Sequence, residues 1–353
     1  MAYPAKKPVT PNGFIDKDVA FPQGPDDTIS AVRWSPAANH LAAVSWDGKI
    51  YVYDATNNRT TNSIRAVSAL QSAANSPFFD CDFSKDGTLV AGGSADKKIY
   101  VLDVASGSTR MLEGHTKPVR SVRFVDIPQA NTPIIASGSW DKTIKYWDLR
   151  QPSALATINF EERVYAMDAR GAVLCAATAD NKVHFVDLHG DPSKVSRVTD
   201  SPLKYQPTSI SVAHDGSRWA IGSIEGRVAA RVTDENNKTF KNMCFQCHRV
   251  ETTKAKNAQD VFAVNVVLFS PTNNKVLATA GSDGTFVFWD ILSKHKLQGF
   301  PNTGGSLTAA GFNRDGTMFA YAVGYDWSKG HTGNTAEYPR KLMLHKINPA
   351  LNR

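Results

Sequence analysis

Short segments with alternating hydrophobic and polar residues recur along the chain, most of them starting at an aspartate in a tight turn. Six of them read DGKIYVYD (47–54), DKKIYVLD (96–103), DKTIKYWD (141–148), DNKVHFVD (180–187), EGRVAARV (225–232) and DGTFVFWD (283–290), and a degenerate seventh is KLMLHK (341–346). Alternation with a period of two is typical of β-strands that bury one face. Their last residues are spaced by 49, 45, 39, 45, 58 and 56 positions. A four-stranded propeller blade takes about 40–45 residues, so these spacings lie at or somewhat above one blade.

Further predicted strands precede each of these segments. Residues 31–34 and 41–45 lead into the first segment. Asp47-Gly48 and Asp283-Gly284 suit hairpin turns, because glycine tolerates positive φ and aspartate accepts local backbone hydrogen bonds. No convincing amphipathic helix is longer than ten residues. The pattern therefore predicts an all-β fold, a seven-bladed β-propeller.

The seventh unit contains only three predicted strands. We therefore expect N-terminal residues near Asp18 to Phe21 to supply its outer strand and close the ring. This prediction gives an N-terminal extension over 1–17, a single propeller over 18–348 and a short tail over 349–353. Insertions at 233–260 and 325–340 lengthen the fifth and seventh units, and long loops in compact β domains often carry function.

Composition and charge narrow the class of protein. The chain has 353 residues, of which 42% are hydrophobic, and a formal net charge of +7. These values fit a packed domain whose charge permits acidic peptides or polyanions as partners. The richest apolar run, 261–269, is too short to cross a membrane, and no apolar segment follows Lys6 and Lys7. We expect a soluble intracellular protein, and the four cysteines fit a reducing compartment.

Motifs that would carry chemistry are few. Cys244 to His248 spells C-x-x-C-H, a haem-attachment signature. No secretion signal accompanies this motif, and Cys81 and Cys175 lie at no ligand-like spacing, so we expect neither haem, nor a metal, nor another cofactor. The chain contains no G-x-S-x-G, phosphate-loop or H-E-x-x-H motif. We therefore expect a protein that is not an enzyme.

Three dipeptides carry a first resemblance. Trp147-Asp148 and Trp289-Asp290 match the pair that gives WD repeats their name, and Gly114-His115 matches their upstream partner. The chain thus resembles the WD-repeat family. The resemblance implies one buried hydrogen-bonded set, in which the histidine is structural, made of His115, a serine at 137 or 139, Asp141 and Trp147.

Six longer motifs, in order along the chain, carry a closer resemblance. They are SWDKTIKYWDLR (139–150), EERVYAMD (161–168), IEGRVA (224–229), FQCHR (245–249), FAVNVVLFSP (262–271) and YDWSKGH (325–331). Over roughly 25–347 the chain resembles the propeller subunit of the messenger-RNA export machinery at nuclear pores. The resemblance implies that it docks a GLEBS segment, an acidic hairpin-forming stretch of an FG nucleoporin. It also implies a location in the nucleus and at the nuclear envelope, with some cytoplasmic pool.

The same resemblance implies two binding surfaces. The position of Arg227 meets GLEBS glutamates in that family, and arginine forks onto carboxylates. Trp46 and Trp140 each precede a turn aspartate, so we expect them near the same rim as anchors for the peptide. The second surface is an aromatic and basic groove that contacts nucleic acid, formed by Phe245, Trp289, Lys294 and Lys296. Bases would stack on the rings there without much sequence preference.

Two other functions remain open at this point. Mitotic-checkpoint propellers share the EGRVA motif and bind GLEBS-like segments of checkpoint kinases. Separately, Trp147-Asp148-Leu149-Arg150 fits the W-D-x-R pattern of substrate receptors for cullin ubiquitin ligases. YDWSKGH and the residues of FQCHR favour the export branch, in which the protein engages RNA or RNA-bound carriers. No oligomer signal is visible, so we expect a monomeric propeller within a heteromeric complex.

Overall fold

Seven antiparallel sheets of four strands each follow one another along the chain as the blades of a propeller. The computed structural model describes residues 11–57, 60, 63–237, 240–252 and 258–348. Within these ranges there is no α-helix, and two short 3-10 turns are described in full, Ala73–Asn75 and His331–Gly333. The predicted all-β, seven-bladed propeller is confirmed. The predicted tail, 349–353, and residues 1–10 of the predicted extension lie outside the described residues.

In each blade the strands are ordered from the central channel outward. Blade 1 contains Ile29–Trp34, His40–Ser45, Lys49–Asp54 and Arg65–Gln71. Blade 2 contains Phe78–Phe83, Leu89–Ser94, Ile99–Asp103 and Thr109–Leu112. Blade 3 contains Val119–Val125, Ile134–Ser139, Thr143–Asp148 and Ala156–Asn159. Blade 4 contains Val164–Arg170, Val173–Thr178, Lys182–Asp187 and Arg197–Asp200.

The last three blades contain the two insertions and the closure of the ring. Blade 5 contains Pro207–Val212, Arg218–Ser223, Arg227–Val232 and Met243–Gln246. Blade 6 contains Val264–Phe269, Val276–Gly281, Phe286–Asp290 and His295–Gly299. Blade 7 contains Leu307–Phe312, Met318–Val323, Lys341–Lys346 and the N-terminal strand Val19–Ala20.

The hydrophobic core is divided among the junctions between blades. Its buried residues form seven clusters within the described part of the chain, and each cluster joins two neighbouring blades. Between blades 2 and 3, for example, Leu112 and Val122 pack with Trp147. Each blade is therefore stabilised mainly by apolar area that it buries against its neighbours.

The predicted hydrogen-bonded set is present in blade 3, and Ser137 is its hydroxyl member. His115 Nδ1 lies 2.8 Å from Asp141, and its Nε2 lies 2.7 Å from Ser137 Oγ. The indole of Trp147 donates to the same hydroxyl at 2.7 Å. A carboxylate only accepts, so Nδ1 carries a proton and donates to Asp141. His115 is thus a structural histidine.

The innermost strand of every blade carries a bulge at its second residue. The register with the next strand shifts there in all seven blades. The bulged residues are Ser30, Phe79, Arg120, Tyr165, Thr208, Asn265 and Thr308. A bulge leaves its extra residue unpaired and re-aims its side chain, so the ring presents one such side chain per blade near the channel.

The N-terminal strand closes the ring as the sequence predicts. Val19 pairs with Leu344 and Ala20 with Met343. Just before this strand, the Asp18 carboxylate lies 2.7 Å from His345 Nδ1 and accepts the Tyr321 hydroxyl at 2.8 Å. This closure joins the two distant parts of the chain by backbone pairing and by buried polar contacts.

The two predicted insertions take different forms. Residues 233–260 contain the outer strand of blade 5 and most of a two-stranded ribbon, whose strands are Arg249–Glu251 and Gln259–Val261. Residues 325–340 fold around Tyr325, whose hydroxyl donates to Gly330 O at 2.8 Å and accepts from the Lys329 amide. Both segments lie next to residues that the sequence marks for binding.

Candidate binding surfaces

Turns between the second and third strands, and loops that enter the following blade, lie on one face of the ring, here called the upper face. Trp46 and Trp140 lie in such turns in blades 1 and 3. Arg227 begins the third strand of blade 5 directly after the same turn. The three predicted peptide-binding residues therefore share a face, as expected from their positions next to turn acids.

A row of aromatic rings connects Trp46 with Trp140. Trp46 stacks on Trp327 with ring centroids 4.6 Å apart, and Phe79 lies between Trp46 and Trp140 at 5.6 and 5.5 Å. Tyr325 extends the row beyond Trp327 at 5.8 Å. Phe79 and Trp327 were not predicted as site residues, because nothing local in the sequence shows that a bulge and an insertion bring them to Trp46. Aromatic rings that remain half-buried are suitable interface anchors.

Arg227 pairs with an acid of its own turn. Its Nε lies 3.3 Å from Glu225 Oε2, and its side chain is 36% exposed. The neighbouring Arg249 donates to the Glu225 carbonyl at 2.8 Å. Burial and the charge of Arg227 lower the pKa of Arg249. An ion pair near the surface is weak, so the Arg227 guanidinium remains suited to an incoming carboxylate, and Arg249 lies beside it with only backbone carbonyls as acceptors within the described residues.

Exposed apolar side chains surround this pair of arginines, and sequence reasoning missed them. They are Tyr205, Ile224, Val250 and Val261, each 45–49% exposed. Two of them, Val250 and Val261, belong to the ribbon. The ribbon lies close to the turn of blade 5, since a Cβ on Gly226 would lie 3.1 Å from the Val261 side chain. Apolar side chains around charged groups that become buried on binding are typical of peptide-binding surfaces.

The predicted groove between blades 5 and 6 is partly assembled. Phe245 packs on Trp289 with ring centroids 4.8 Å apart. Lys296 pairs with Trp289 across the outer strands, and burial lowers the pKa of its ammonium group. Lys294 lies in the exposed turn before it, in a left-handed backbone conformation. Phe245, Trp289, Lys294 and Lys296 together are called the Phe245 groove below.

Trp289 also belongs to a buried network like that of blade 3. Its indole donates to Thr279 Oγ1 at 2.9 Å, and the same hydroxyl lies 3.0 Å from His248 Nε2. His248 Nδ1 lies 2.8 Å from Asp283. The His248 ring nitrogens are both engaged, and burial raises the pKa of the Cys247 thiol well above its usual value. The C-x-x-C-H motif thus supplies the network histidine of blade 6.

Other features bear on the class of protein. Within the described residues no helix is long and apolar enough to span a membrane, and no three histidine, cysteine or acidic residues are placed to hold a metal ion. Arg150 of the W-D-x-R tetrapeptide forks onto Asp148, with Nε and Nη2 at 3.0 and 2.5 Å from its two oxygens. That arginine is therefore already paired within its own turn.

The fold and its surfaces define a WD-repeat β-propeller with an aromatic and basic upper face. The WD domain, G-beta repeat family matches residues 17–54, 66–103, 106–148 and 249–290. The chain belongs to the messenger-RNA export factor family of such propellers. It is 44% identical over 336 residues to the Poly(A)+ RNA export protein of Schizosaccharomyces pombe, covering 95% of this chain and 92% of that protein.

Two further relatives agree with this assignment. The mRNA export factor GLE2 of Chaetomium thermophilum is 43% identical over 340 residues, which cover 95% of this chain and 92% of the relative. Protein Rae1 of Drosophila melanogaster is 38% identical over 352 residues, which cover 97% of this chain and 98% of the relative. The predicted family is confirmed over nearly the whole chain.

Proposed function

We propose that this protein is a non-catalytic adaptor in nuclear messenger-RNA export that docks a GLEBS segment of an FG nucleoporin on its upper face. The observation that carries this proposal is the upper face itself, where one aromatic row and one pair of arginines with an apolar rim lie on the same side of the ring. The names of its relatives, export proteins and export factors, agree with this role.

The physical basis of docking is the combination of these two features. An acidic segment crossing the face would place glutamates on Arg227 and Arg249, where two parallel hydrogen bonds from a guanidinium are stronger than a single neutral bond. The exposed apolar side chains around the arginines would exclude water from these bonds, and Trp46 and Trp140 would anchor a more distant part of the segment. A monomeric propeller offers one such face per complex.

We further propose that the Phe245 groove contacts RNA or RNA-bound carriers. Phe245 and Trp289 provide aromatic faces for bases, and Lys294 and Lys296 provide cations for phosphates. This groove lies at the outer strands of blades 5 and 6, and Lys294 lies in the turn between the third and fourth strands of blade 6, on the face opposite to the upper-face turns. The adaptor could then hold its nucleoporin and its cargo at once, at the nuclear pore and with some cytoplasmic pool.

Calorimetric titration with a synthetic GLEBS peptide from an FG nucleoporin tests the docking proposal. Arg227→Glu should abolish binding, because it removes the guanidinium and places a second negative charge beside Glu225, which would repel the glutamates of the peptide. Lys182→Glu is a matched control, since Lys182 begins the third strand of blade 4 and pairs with Asp180 at 3.3 Å, two residues earlier, as Arg227 pairs with Glu225. The control should retain most of the affinity.

Two results would contradict the proposal. Failure of the wild-type protein to bind the peptide would remove the GLEBS function, and equal losses in both variants would show only a general charge effect. Imaging of the tagged protein in cells distinguishes the export function from the mitotic-checkpoint function. A signal at the nuclear rim agrees with export, whereas kinetochore foci without a rim would favour the checkpoint function.

A further inference from the structure

The seven bulged residues of the innermost strands fall into two groups. Four of them donate a side-chain hydrogen bond to the first backbone carbonyl of the next blade's inner strand, and these are Ser30, Thr208, Asn265 and Thr308. The other three are Phe79, Arg120 and Tyr165, in the consecutive blades 2, 3 and 4, and within the described residues none of them makes this bond. One sector of the channel mouth therefore has large side chains that are not used to join blades.

Arg120 lies at the centre of this sector, in blade 3. Within the described part of the chain it makes no hydrogen bond or ion pair, although it is only half-exposed and lines the central channel. The channel has a volume of about 810 Å³. Burial and the nearby charges of Arg123 and Arg33 lower the pKa of Arg120, whereas the charge of Asp80 raises it.

Two acids of the channel, Asp80 and Asp168, are already paired. Asp80 receives Arg123 Nη1 at 2.5 Å and lies 3.6 Å from Arg33 Nη2. Asp168 receives Arg123 Nε at 3.0 Å and the Val212 amide at 2.8 Å. Burial alone would lower the pKa of Arg123, but these two carboxylates raise it. Arg123 is thus paired with two carboxylates, whereas no carboxylate of the described residues lies at ion-pair distance from Arg120.

Aromatic rings flank Arg120 in the order of the blades. Phe79, in blade 2, belongs to the aromatic row and lies 5.5 Å from Trp140. Tyr165, in blade 4, carries the Arg163 guanidinium 5.6 Å from its ring centroid. The buried Nε1 of Trp140 has no hydrogen-bond acceptor within the described residues. The channel lining therefore combines a partly buried cation with the ring of Phe79, a setting that favours a charge-assisted hydrogen bond to a carboxylate.

We propose that Arg120 receives a carboxylate side chain of the acidic segment that docks on the upper face, inserted into the channel mouth beside Phe79. This inference rests on the proposed GLEBS docking and adds to it a second charge contact, between the aromatic row and Arg227. The aliphatic part of an inserted glutamate would pack against the ring of Phe79 while its carboxylate forks onto the guanidinium. A pairing in this partly buried site is less screened by salt than a pairing at the rim.

The test is the same peptide titration with Arg120→Met, which removes the charge and keeps an unbranched apolar stem. Binding should weaken by about tenfold or more, as expected for a hydrogen bond to a charged group. Lys117→Met is the matched control, since Lys117 is an exposed cation on the upper face of the same blade, and it should change affinity by about twofold or less. Peptides with single Glu→Gln changes should identify the glutamate that pairs with Arg120. Its replacement should weaken binding to the wild type and have little further effect on binding to Arg120→Met.

The outcomes separate this inference from the docking proposal. If the peptide binds and Arg227→Glu abolishes binding while Arg120→Met has no effect, the inference is overturned and docking stands. A loss in Arg120→Met without coupling to any peptide glutamate, or with a lowered melting temperature, assigns Arg120 a structural role and also overturns it. Failure of the wild-type protein to bind removes both. As an independent readout, the indole NMR signal of Trp140 should shift on binding in the wild type and shift less in Arg120→Met.

Discussion

Blades 3 and 6 contain the same four-residue network, but they use its tryptophan differently. In the order histidine, acid, hydroxyl and tryptophan, the members are His115, Asp141, Ser137 and Trp147 in blade 3, and His248, Asp283, Thr279 and Trp289 in blade 6. Trp147 is 1% exposed, whereas Trp289 is only partly buried. The same type of network thus buries the tryptophan in blade 3 and leaves it partly exposed in blade 6.

Residues just before each histidine explain the difference. Three positions before His115 stands the buried Leu112, and three positions before His248 stands the half-buried Phe245. The residue directly before His115 is Gly114, where a Cβ would lie 3.1 Å from Trp147 Cη2. In blade 6 that position is Cys247. Close approach of backbone to ring therefore buries the tryptophan in blade 3, and a second aromatic ring broadens the surface in blade 6.

Replacing each tryptophan by alanine should give the largest contrast. Trp147→Ala should lower the free energy of unfolding by about 3–5 kcal/mol, because it removes a fully buried aromatic side chain. Trp289→Ala should cost about half as much, since part of its ring is already in water. Urea denaturation monitored by circular dichroism measures both. Equal losses would show that the two blades use their tryptophans alike.

Acidification should affect the two networks in the same direction. Burial would raise the pKa of Asp141 and Asp283, but bonds from histidine and threonine lower both below the ordinary value of 3.8. A carboxylate whose pKa is lower in the folded state than in the unfolded state stabilises the fold above about pH 4. That contribution is lost as the pH falls toward the folded-state pKa. The melting temperature of the wild type should therefore fall between about pH 4 and pH 2.

Asparagine at each acid provides the control for this pH dependence. Asp141→Asn and Asp283→Asn should each be less stable at pH 6 by roughly 1–3 kcal/mol, because the histidine loses a charged acceptor. Each should also lose less stability on acidification than the wild type. A variant that retains the full acid slope would show that the carboxylate in that blade does not cause it.

Phe245→Leu should have the smallest effect on stability and a specific effect on binding, since it gives blade 6 the residue of blade 3. The free energy of unfolding should change by less than about 1.5 kcal/mol. Affinity for an oligouridine RNA, measured by fluorescence anisotropy, should fall about 5- to 100-fold, the contribution of one stacked base. Val198→Ala, on the exposed outer strand of blade 4, is the control.

Salt dependence sharpens the same experiment. Each lysine that contacts a phosphate contributes about 0.7 to the slope of log affinity against log salt for a single strand. Lys296→Met should reduce that slope, and binding that is indifferent to salt would contradict the RNA proposal. Unchanged affinity in Phe245→Leu would instead remove the stacking contribution of the Phe245 groove.

The repeated architecture follows from the sequence because its signals are local. An alternating strand recurs once per blade, in most blades directly after a turn aspartate, and the missing strand of the seventh unit correctly indicates the closure at Val19–Ala20. The network of His115, Ser137 and Trp147 was also predictable, since its members occupy fixed places in a repeat. These features depend on spacing within one blade or on counting strands.

The composition of the surfaces was less predictable, because it depends on contacts between blades. Phe79 and Trp327 are far apart in sequence and meet only at Trp46, through a bulge in one blade and an insertion in another. The apolar rim at Arg227 depends on the ribbon that contains Val261. Arg120 was not singled out, because its lack of an ion pair depends on Arg123 binding both Asp80 and Asp168, which come from two other blades.

Closure by Val19–Ala20 also sets the order in which the protein can be completed during synthesis. Its partner strand, Lys341–Lys346, leaves the ribosome after more than 300 further residues, on the order of tens of seconds later at about 5–20 residues per second. During that interval six blades can form from consecutive strands, while the first strand has no partner strand to pair with. Translation therefore times the closing of the ring, and a chaperone that shields residues 18–21 until then would favour closure within one chain over pairing between two nascent chains.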